Sequence, residues 1–329
     1  MTHDAGPRAA PGPLAPGRLP GLPSAPRCLV MGVVNVTPDS FSDGGSWLDP
    51  DAAVARGQVL AASGADLVDV GGESTRPGAQ RIPAGEELRR VMPVITGLVT
   101  AGICVSVDTM RAEVAEQALR AGARMVNDVS GGLADPDMVA VIAAAGVPYV
   151  INHWRGHSAD MYGKAVYDDV VADVRAELSL RVHDVLADGV DPGQIIVDPG
   201  LGFAKLARHN WALIASLRDI PVLGEPGSPF PLLFAASRKR FIGRLLAGPD
   251  GEPRPFTESD DATVALTALA AAAGAWCVRV HEVPANADAV RVVARVQQAA
   301  RDQAARDEAA GGGTAGGGAD GGIAGGGSQ

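Results

Sequence analysis

Residues 104–130 read CVSVDTMRAEVAEQALRAGARMVNDVS, and this stretch contains the unit from which the fold can be inferred. Two short hydrophobic runs, at 104–109 and 125–130, each end in polar side chains. Between them lies an alanine-rich segment, 111–120, whose composition favours a helix. A strand, a helix and a second strand in this order predict a right-handed crossover between parallel strands.

The same alternation extends along the chain in both directions. The predicted strands are Leu29–Thr37, Leu67–Ser74, Cys104–Thr109, Met125–Ser130, Tyr149–Trp154, Ile195–Gly200, Leu232–Ser237 and Trp276–Glu282. Helical patterns among and after them include Asp51–Ser63, Glu86–Thr100, Arg111–Arg120, Pro136–Ala145, Val166–Ala187 and Asn286–Ala304. Strands that begin as near-continuous hydrophobic runs are typical of a parallel sheet covered by helices.

The ends of the strands distinguish a closed barrel from an open doubly wound sheet. Polar residues follow every strand: Asn35, 71–75, 108–109, 127–128, 153–155, Asp198, 237–239 and 279–281. In a barrel all eight ends converge on one mouth, whereas an open sheet spreads them along a line. We therefore predict a single α/β domain, a (β/α)8 TIM barrel, with its active site at the carboxyl ends of the strands.

Composition sets the limits of this domain and narrows its partners. Residues 1–27 are rich in Pro and Gly and 304–329 are rich in Gly, so both termini are predicted to be disordered around a barrel at 28–303. The net charge of −10 argues against nucleic acid or an anionic membrane as partner. The three cysteines are far apart in the chain, which predicts reduced thiols and a cytoplasmic protein.

Three acceptor-bearing side chains end predicted strands. Asp108, Asn127 and Asp198 would meet in one mouth, where they could read the hydrogen-bond donor edge of a heterocycle. Helix capping is the alternative for Asp108, since a predicted helix follows it. For Asp198, which is followed by Pro and Gly, capping is less convincing.

Cationic residues and two polar loops complete the pattern. Segments 237–240 (SRKR) and 279–281 (RVH) end strands seven and eight, where barrels commonly bind phosphate. A solvated basic turn would explain Arg238 or Arg240 individually, but not Arg279 and His281, which share one face of a hydrophobic strand. Loop 35–45 is predicted to be a mobile lid, and the glycines of loop 71–78 let its backbone approach a ligand.

Eight of these segments together resemble the dihydropteroate synthases of folate biosynthesis. In chain order they read MGVVNVTPDSFSDGG, VDVGGESTRPGA, SVDTMR, MVNDVSGG, INHWRG, VDPGLGFAK, SRKRFIG and VRVHEV, and they span nearly the whole predicted barrel. The resemblance implies a transferase, a target of sulfonamides, that joins 6-hydroxymethyl-7,8-dihydropterin diphosphate to 4-aminobenzoate. The products would be 7,8-dihydropteroate and pyrophosphate.

The resemblance also implies a role for each matching residue. The expected pterin pocket is Asp108, Asn127, Asp198 and Lys239, and Asn35 is the expected Mg²⁺ ligand. Arg279 and His281 are the expected diphosphate anchors, and Val280 between them is expected to bind substrate. Around the aminobenzoate we expect Thr37, Phe41, Thr75, Arg76, Pro77, Phe203 and Ser237. The expected catalytic residues are Lys239, Arg279, His281 and Asp108. One departure is Arg240, where many members have Ser.

Two other functions fit parts of the pattern. A methyltetrahydrofolate-dependent corrinoid methyltransferase has a similar barrel, but its substrate carries no diphosphate and needs no paired cationic sites. A non-catalytic pterin-binding paralogue is the other alternative, although here every anchor position is filled. For the favoured reading we expect small-molecule substrates, a cytoplasmic location and a homodimer.

Overall fold

The computed structural model of the protein describes residues 19–37, 49–74, 78–79, 81–157, 163–220 and 229–312. It contains a strand at each of the eight predicted positions, and each strand is shorter than its predicted range. The strands are β1 (Leu29–Asn35), β2 (Leu67–Gly71), β3 (Val105–Asp108), β4 (Met125–Asp128), β5 (Tyr149–Asn152), β6 (Ile195–Asp198), β7 (Leu233–Phe234) and β8 (Cys277–Val280).

These strands form one parallel sheet that closes on itself. Their order is β6-β5-β4-β3-β2-β1-β8-β7, and each neighbouring pair in that order is parallel. The two outer strands meet through a parallel bridge between Val197 and Leu232. There the Val197 amide donates to the Pro231 carbonyl at 2.9 Å. The predicted TIM barrel is therefore confirmed.

Helices surround the barrel. Within the described ranges they are α1 (Pro50–Ala62), α2 (Ala84–Thr100), α3 (Ala112–Arg120), α4 (Met138–Ala145), α5 (Val170–Ala187), α6 (Ala207–Ala215), α7 (Arg240–Leu245), α8 (Asp260–Ala273) and α9 (Pro284–Gly312). None of the helices in these ranges is long and apolar enough to span a membrane.

Described residues on both sides of the predicted barrel, 28–303, pack on it or extend its last helix. The last helix continues to Gly312 instead of ending near residue 304, because residues 302–309 (DQAARDEA) are mostly good helix formers. At the other end the ordered chain begins before residue 28. Leu19 is buried and packs with Leu22 and Ala25 against the interior of the barrel at the amino ends of the strands. The end of the predicted leader therefore covers that end of the barrel.

The close approach of α1 and α2 depends on two glycines. A Cβ added at Gly57 in α1 would lie 2.6 Å from a methyl carbon of Leu98, and one at Gly97 in α2 would lie 2.6 Å from a methyl carbon of Val54. Each helix therefore inserts a branched side chain into the space that the other helix leaves open at a glycine. This reciprocal contact lets the two helices pack closely on one side of the barrel.

We predict that Gly57→Ala lowers the free energy of unfolding by up to about 2 kcal/mol. Alanine favours the helix by about 1 kcal/mol, but overpacking Leu98 typically costs about 1–3 kcal/mol. Gly85→Ala is the matched control, because a Cβ at Gly85 of α2 meets no described atom within 4 Å. Chemical denaturation should show the control unchanged or slightly stabilised. A Gly57→Ala protein stabilised as much as the Gly85→Ala control would contradict the packing account.

Candidate active site at the mouth of the barrel

The structure brings the predicted acceptors and cations together at the carboxyl ends of the strands. Asp108, Asn127 and Asp198 lie on β3, β4 and β6, and Arg279 lies on β8. Asn127 and Asp198 are buried, whereas Asp108 and Arg279 keep a small exposed fraction. These four side chains face the interior of the barrel, so together they form a polar floor beneath the mouth.

Arg279 is the cation at the centre of this floor. Its Nε donates to Asp69 Oδ2 and its Nη2 donates to Asp108 Oδ2, each at 2.7 Å. Burial alone would lower the pKa of Arg279, but the two carboxylates outweigh it and raise that pKa. The guanidinium is therefore permanently charged, and its plane is fixed by two ion pairs.

The same ion pair holds Asp108. Burial raises the pKa of this carboxyl, while the charge of Arg279 opposes the rise. Capping, the alternative considered for Asp108, does not apply, because α3 begins only at Ala112. The backbone amide of Ala112 instead donates to Asp135 at 2.8 Å. Asp108 is thus held at the floor by Arg279, and the first amide of α3 is bound by Asp135 instead.

Asp69 is a residue of this site that the sequence analysis missed. Its side chain is fully buried in β2, and its Oδ2 accepts from both Arg279 and Asn127, at 2.7 and 2.9 Å. The other carboxylate oxygen has no hydrogen-bond partner among the described residues. A signal was available, since period-two alternation through Leu67, Asp69 and Gly71 places this carboxylate on the inward face.

Asp198 is held by the turn that follows β6. Its Oδ1 accepts from the Gly200 amide at 2.7 Å. Only glycine fits there, because φ is +69° and a Cβ would lie 2.3 Å from the His153 carbonyl oxygen. Burial raises the pKa of Asp198 to about 6, against the opposing effects of the Gly200 bond and of Lys239, Lys205 and Arg279.

Lys239 and Phe203 form one wall of the mouth. The Lys239 ammonium lies 4.1 Å from the centre of the Phe203 ring, a cation–π geometry. Burial lowers the pKa of Lys239 to about 8, although the charge of Asp198 counteracts it. The lysine is therefore mostly charged at neutral pH while its stem lies against an aromatic surface.

Ser237 and His281 are paired on the neighbouring side of the mouth. The Ser237 hydroxyl lies 2.9 Å from His281 Nδ1 and accepts from the His281 backbone amide at 3.3 Å. A hydroxyl that accepts from the amide can donate to Nδ1. This would leave the ring hydrogen of a neutral imidazole on Nε2.

A further buried lysine braces the turn that carries Phe203. Lys205 Nζ donates to the carbonyls of Gly200 and Phe203, at 3.0 and 3.1 Å, and to His153 Nδ1 at 2.9 Å. Three acceptors match the three hydrogens of an ammonium group. Burial lowers the pKa of Lys205 to about 7, although the charges of Asp198 and Glu177 counteract it. This role of Lys205 was not predicted from the sequence.

Three residues that the sequence pattern singled out do not contribute side chains to the polar floor. Val280 points to the opposite face of β8 and is buried in the core shared with the helices, so only its backbone could meet a ligand. Arg238 is not a solvated turn residue, because it pairs with Asp260 at 3.0 Å and its side chain is only 8% exposed. Arg240 is exposed as the first residue of α7.

The possible metal site centres on Asn35 at the end of β1. A Cβ placed on Gly71 would lie 3.6 Å from Asp108 Oδ2 and 3.7 Å from Asn35 Oδ1, so both oxygens border the same space. No group of three or more His, Cys, Asp or Glu side chains among the described residues could hold a metal by itself. Few protein oxygens beside a phosphate-bearing substrate are typical of Mg²⁺ sites, so the residues present fit that ion.

Of the loop residues expected around the aminobenzoate, Thr37 lies within the described part of the chain. Thr37 is buried directly after β1, where the neighbouring Val36 amide donates to the Gly71 carbonyl at 2.8 Å. Phe41, Thr75, Arg76 and Pro77 lie outside the described residues. Their expected contacts therefore remain predictions from the sequence.

Comparison with known proteins agrees with this arrangement. Residues 31–281 match the model of the family described as pterin binding enzyme. A dihydropteroate synthase from Mycobacterium leprae is 55% identical over 265 residues, which cover 80% of this chain and 92% of that protein.

Two solved structures of such enzymes superpose on this chain. One, from Burkholderia cenocepacia in complex with 7,8-dihydropteroate, has a TM-score of 0.77 and 37% identity and covers 89% of this chain and 99% of its own. Another, from Xanthomonas albilineans with 4-aminobenzoic acid, has a TM-score of 0.74 and 44% identity, with coverages of 82% and 93%.

The barrel and the polar floor thus define a pterin-binding enzyme built on a TIM barrel. The chain belongs to the dihydropteroate synthase family, whose members are transferases of folate biosynthesis.

We predict that affinity for a pterin falls as pH is lowered through about 6, because Asp198 then gains a proton and no longer accepts as a carboxylate. Calorimetric titration from about pH 8 to about pH 5 measures this dependence. Asp198→Asn should bind weakly throughout and should lack the transition near pH 6. A wild-type affinity that stays constant over this range would show that the ionisation of Asp198 is unimportant for binding.

Proposed function

We propose that the mouth of the barrel condenses 6-hydroxymethyl-7,8-dihydropterin diphosphate with 4-aminobenzoate to give 7,8-dihydropteroate and pyrophosphate. The observation that carries this proposal is the grouping of three oxygen acceptors with two partly buried cations, Arg279 and Lys239, in one mouth. Solved relatives holding 7,8-dihydropteroate or 4-aminobenzoic acid in the same fold support it.

The acceptors would recognise the pterin. The pyrimidine edge of a pterin carries several N–H donors, and Asp108, Asn127 and Asp198 present carboxylate or amide oxygens on three different strands. Because these side chains are placed by β-strands and held by hydrogen bonds, the pocket is organised before the ligand arrives. Lys239 would border the same ring from the segment between β7 and α7.

The cations would bind the diphosphate. Arg279 offers a planar fork suited to phosphate oxygens, and His281 and Ser237 lie beside it on the same side of the mouth. Positive charge at this position favours departure of pyrophosphate, because negative charge accumulates on the bridging oxygen as the carbon–oxygen bond breaks. These residues act by stabilising the leaving group.

The bond changes then follow. The bond between the pterin methylene carbon and the diphosphate oxygen breaks with its electron pair on oxygen, and the carbon develops carbocation character. The lone pair of the neutral arylamine forms the new carbon–nitrogen bond, and the nitrogen then loses a proton. A carbocation of this kind also reacts with water, so a closed and partly apolar wall such as Phe203 would limit hydrolysis.

A magnesium ion fits this scheme as a further charge on the leaving group. Asn35 would hold it through its amide oxygen, next to the space bordered by Asp108. When bound, such an ion neutralises phosphate charge and helps pyrophosphate to depart.

We also propose that the enzyme acts in the cytoplasm as a homodimer. Free cysteines that lie far apart in the sequence support the first part. Exposed aliphatic side chains on α8 and α9, namely Leu269, Val292 and Val296, support the second, because they are 59–63% exposed in the single chain.

The reaction is tested by supplying both substrates and measuring dihydropteroate and pyrophosphate. We expect Lys239→Met to lower kcat/KM by about 100-fold or more, since a buried charged contact typically contributes about 2–5 kcal/mol. Lys164→Met is the matched control, because Lys164 is an exposed lysine that is not one of the residues of the polar floor. Absence of product with the wild-type chain would refute the proposed reaction.

Turnover should also depend on magnesium. We predict that Asn35→Ala raises the Mg²⁺ concentration needed for half-maximal rate, because an oxygen ligand is lost. Titrating Mg²⁺ into metal-depleted wild-type and variant enzyme measures the shift. Full activity of the wild-type enzyme in excess chelator would remove the metal from the mechanism.

A further inference from the structure

Asp69 stands beneath two residues of the proposed site and contacts both. It lies in the middle of β2, is fully buried, and accepts from Asn127 Nδ2 and Arg279 Nε through a single oxygen, Oδ2. Neither contact is to a backbone amide, so Asp69 caps no helix or turn through these bonds. A buried carboxylate at this depth is costly, and its retention calls for a role beyond stability.

We propose that Asp69 is a positioning residue that determines which atoms Asn127 and Arg279 present to the substrate. This inference rests on the proposed function, and it concerns recognition of the pterin diphosphate. The role of Asp69 is indirect, because it acts through the two side chains it binds.

The effect on Asn127 follows from the symmetry of an amide. Its oxygen and nitrogen ends have nearly the same shape, so packing alone does not choose between two orientations related by a half-turn. An ionised carboxylate only accepts hydrogen bonds, and Asp69 therefore selects the orientation in which Nδ2 points towards it at 2.9 Å. The carbonyl oxygen of Asn127 is then left for a donor on the ligand, and a pterin edge supplies such donors.

The effect on Arg279 is of the same kind. With Nε engaged by Asp69 and Nη2 by Asp108, both at 2.7 Å, the guanidinium plane cannot rotate without breaking an ion pair. The hydrogens that remain are those on the far side of the fork, and these are left to meet the diphosphate. The carboxylate of Asp69 therefore orients both Asn127, which recognises the pterin ring, and Arg279, which binds the diphosphate.

A simple charge effect predicts a different result, which makes the proposal testable. Removing a negative charge near Arg279 would strengthen the attraction for a diphosphate if Asp69 acted only through its charge. If Asp69 acts by orienting Asn127, its loss must weaken binding even of a pterin that carries no phosphate. The probe is therefore 6-hydroxymethyl-7,8-dihydropterin, with inorganic pyrophosphate titrated separately.

The test compares Asp69→Asn with Asp66→Asn. Asp66 lies just before the same strand, at the other end of the barrel, and pairs with Arg27 through both oxygens at 2.8 Å. The control thus also removes a carboxylate–arginine pair but leaves the mouth untouched. We expect Asp69→Asn to weaken pterin binding by about tenfold or more, while Asp66→Asn binds like the wild type. Each protein is first checked for folding by circular dichroism.

A double variant tests directly whether the direction of the hydrogen bond between positions 69 and 127 matters. In the exchange Asp69→Asn with Asn127→Asp, the amide at position 69 donates and the carboxylate at 127 again presents an acceptor to the ligand. We expect this double variant to regain part of the pterin affinity lost in Asp69→Asn, whereas a general loss of stability would not be reversed. If Asp69→Asn alone folds poorly, the pterin affinity of the double variant still tests the proposal.

The outcomes separate this inference from the proposed function. A wild-type chain that neither binds pterin nor forms dihydropteroate contradicts the function itself. If the wild type binds and reacts, then unchanged pterin affinity in Asp69→Asn, an equal loss in Asp66→Asn, or no recovery in the exchange overturns the role of Asp69. Unaltered KM for 4-aminobenzoate in Asp69→Asn, together with weakened pterin binding, supports it.

Discussion

The structure depends on the burial of one guanidinium group inside a barrel. An isolated charge there would be unfavourable by several kcal/mol, so Arg279 requires partners that the fold must deliver. Asp69 and Asp108 supply them from β2 and β3, which stand two and three places from β8 in the sheet. Curvature of the sheet into a cylinder brings both carboxylates within 2.7 Å of the guanidinium nitrogens. Closure of the barrel and neutrality of its interior are therefore linked.

The sequence alone was sufficient to locate every strand and to choose the barrel. Hydrophobic runs mark the buried ladder, and the polar residues after them mark the common mouth. It overestimated strand length at every carboxyl end, where residues such as Trp154 lie beyond the last residue of the strand. It missed the end of α9 and the packing of Leu19, because terminal segments of biased composition give weak local signals and depend on tertiary contacts.

The positions of side chains at the ends of strands were easier to predict than those within strands, for a geometric reason. Side chains at strand ends were correctly placed at the mouth, since parallel strands must end together. Asp69 was overlooked because it lies within a hydrophobic run, where only alternation reveals the inward face. The same alternation indicates that Val280, between Arg279 and His281, faces the helices. The burial of Arg238 could not be foreseen, because its partners Asp260 and Glu282 come from separate parts of the chain.

The way in which the cylinder closes has a mechanical consequence. Seven neighbouring strand pairs are joined by ladders, whereas among the described residues β6 and the start of β7 meet through one bridge, between Val197 and Leu232. A sheet opens locally most readily where the fewest hydrogen bonds join two strands, so the barrel should open first between β6 and β7. This seam lies below Asp198 on one side and Ser237 on the other. Slight opening along it would widen the mouth between the pterin acceptors and the diphosphate cations while the other seven contacts stayed intact.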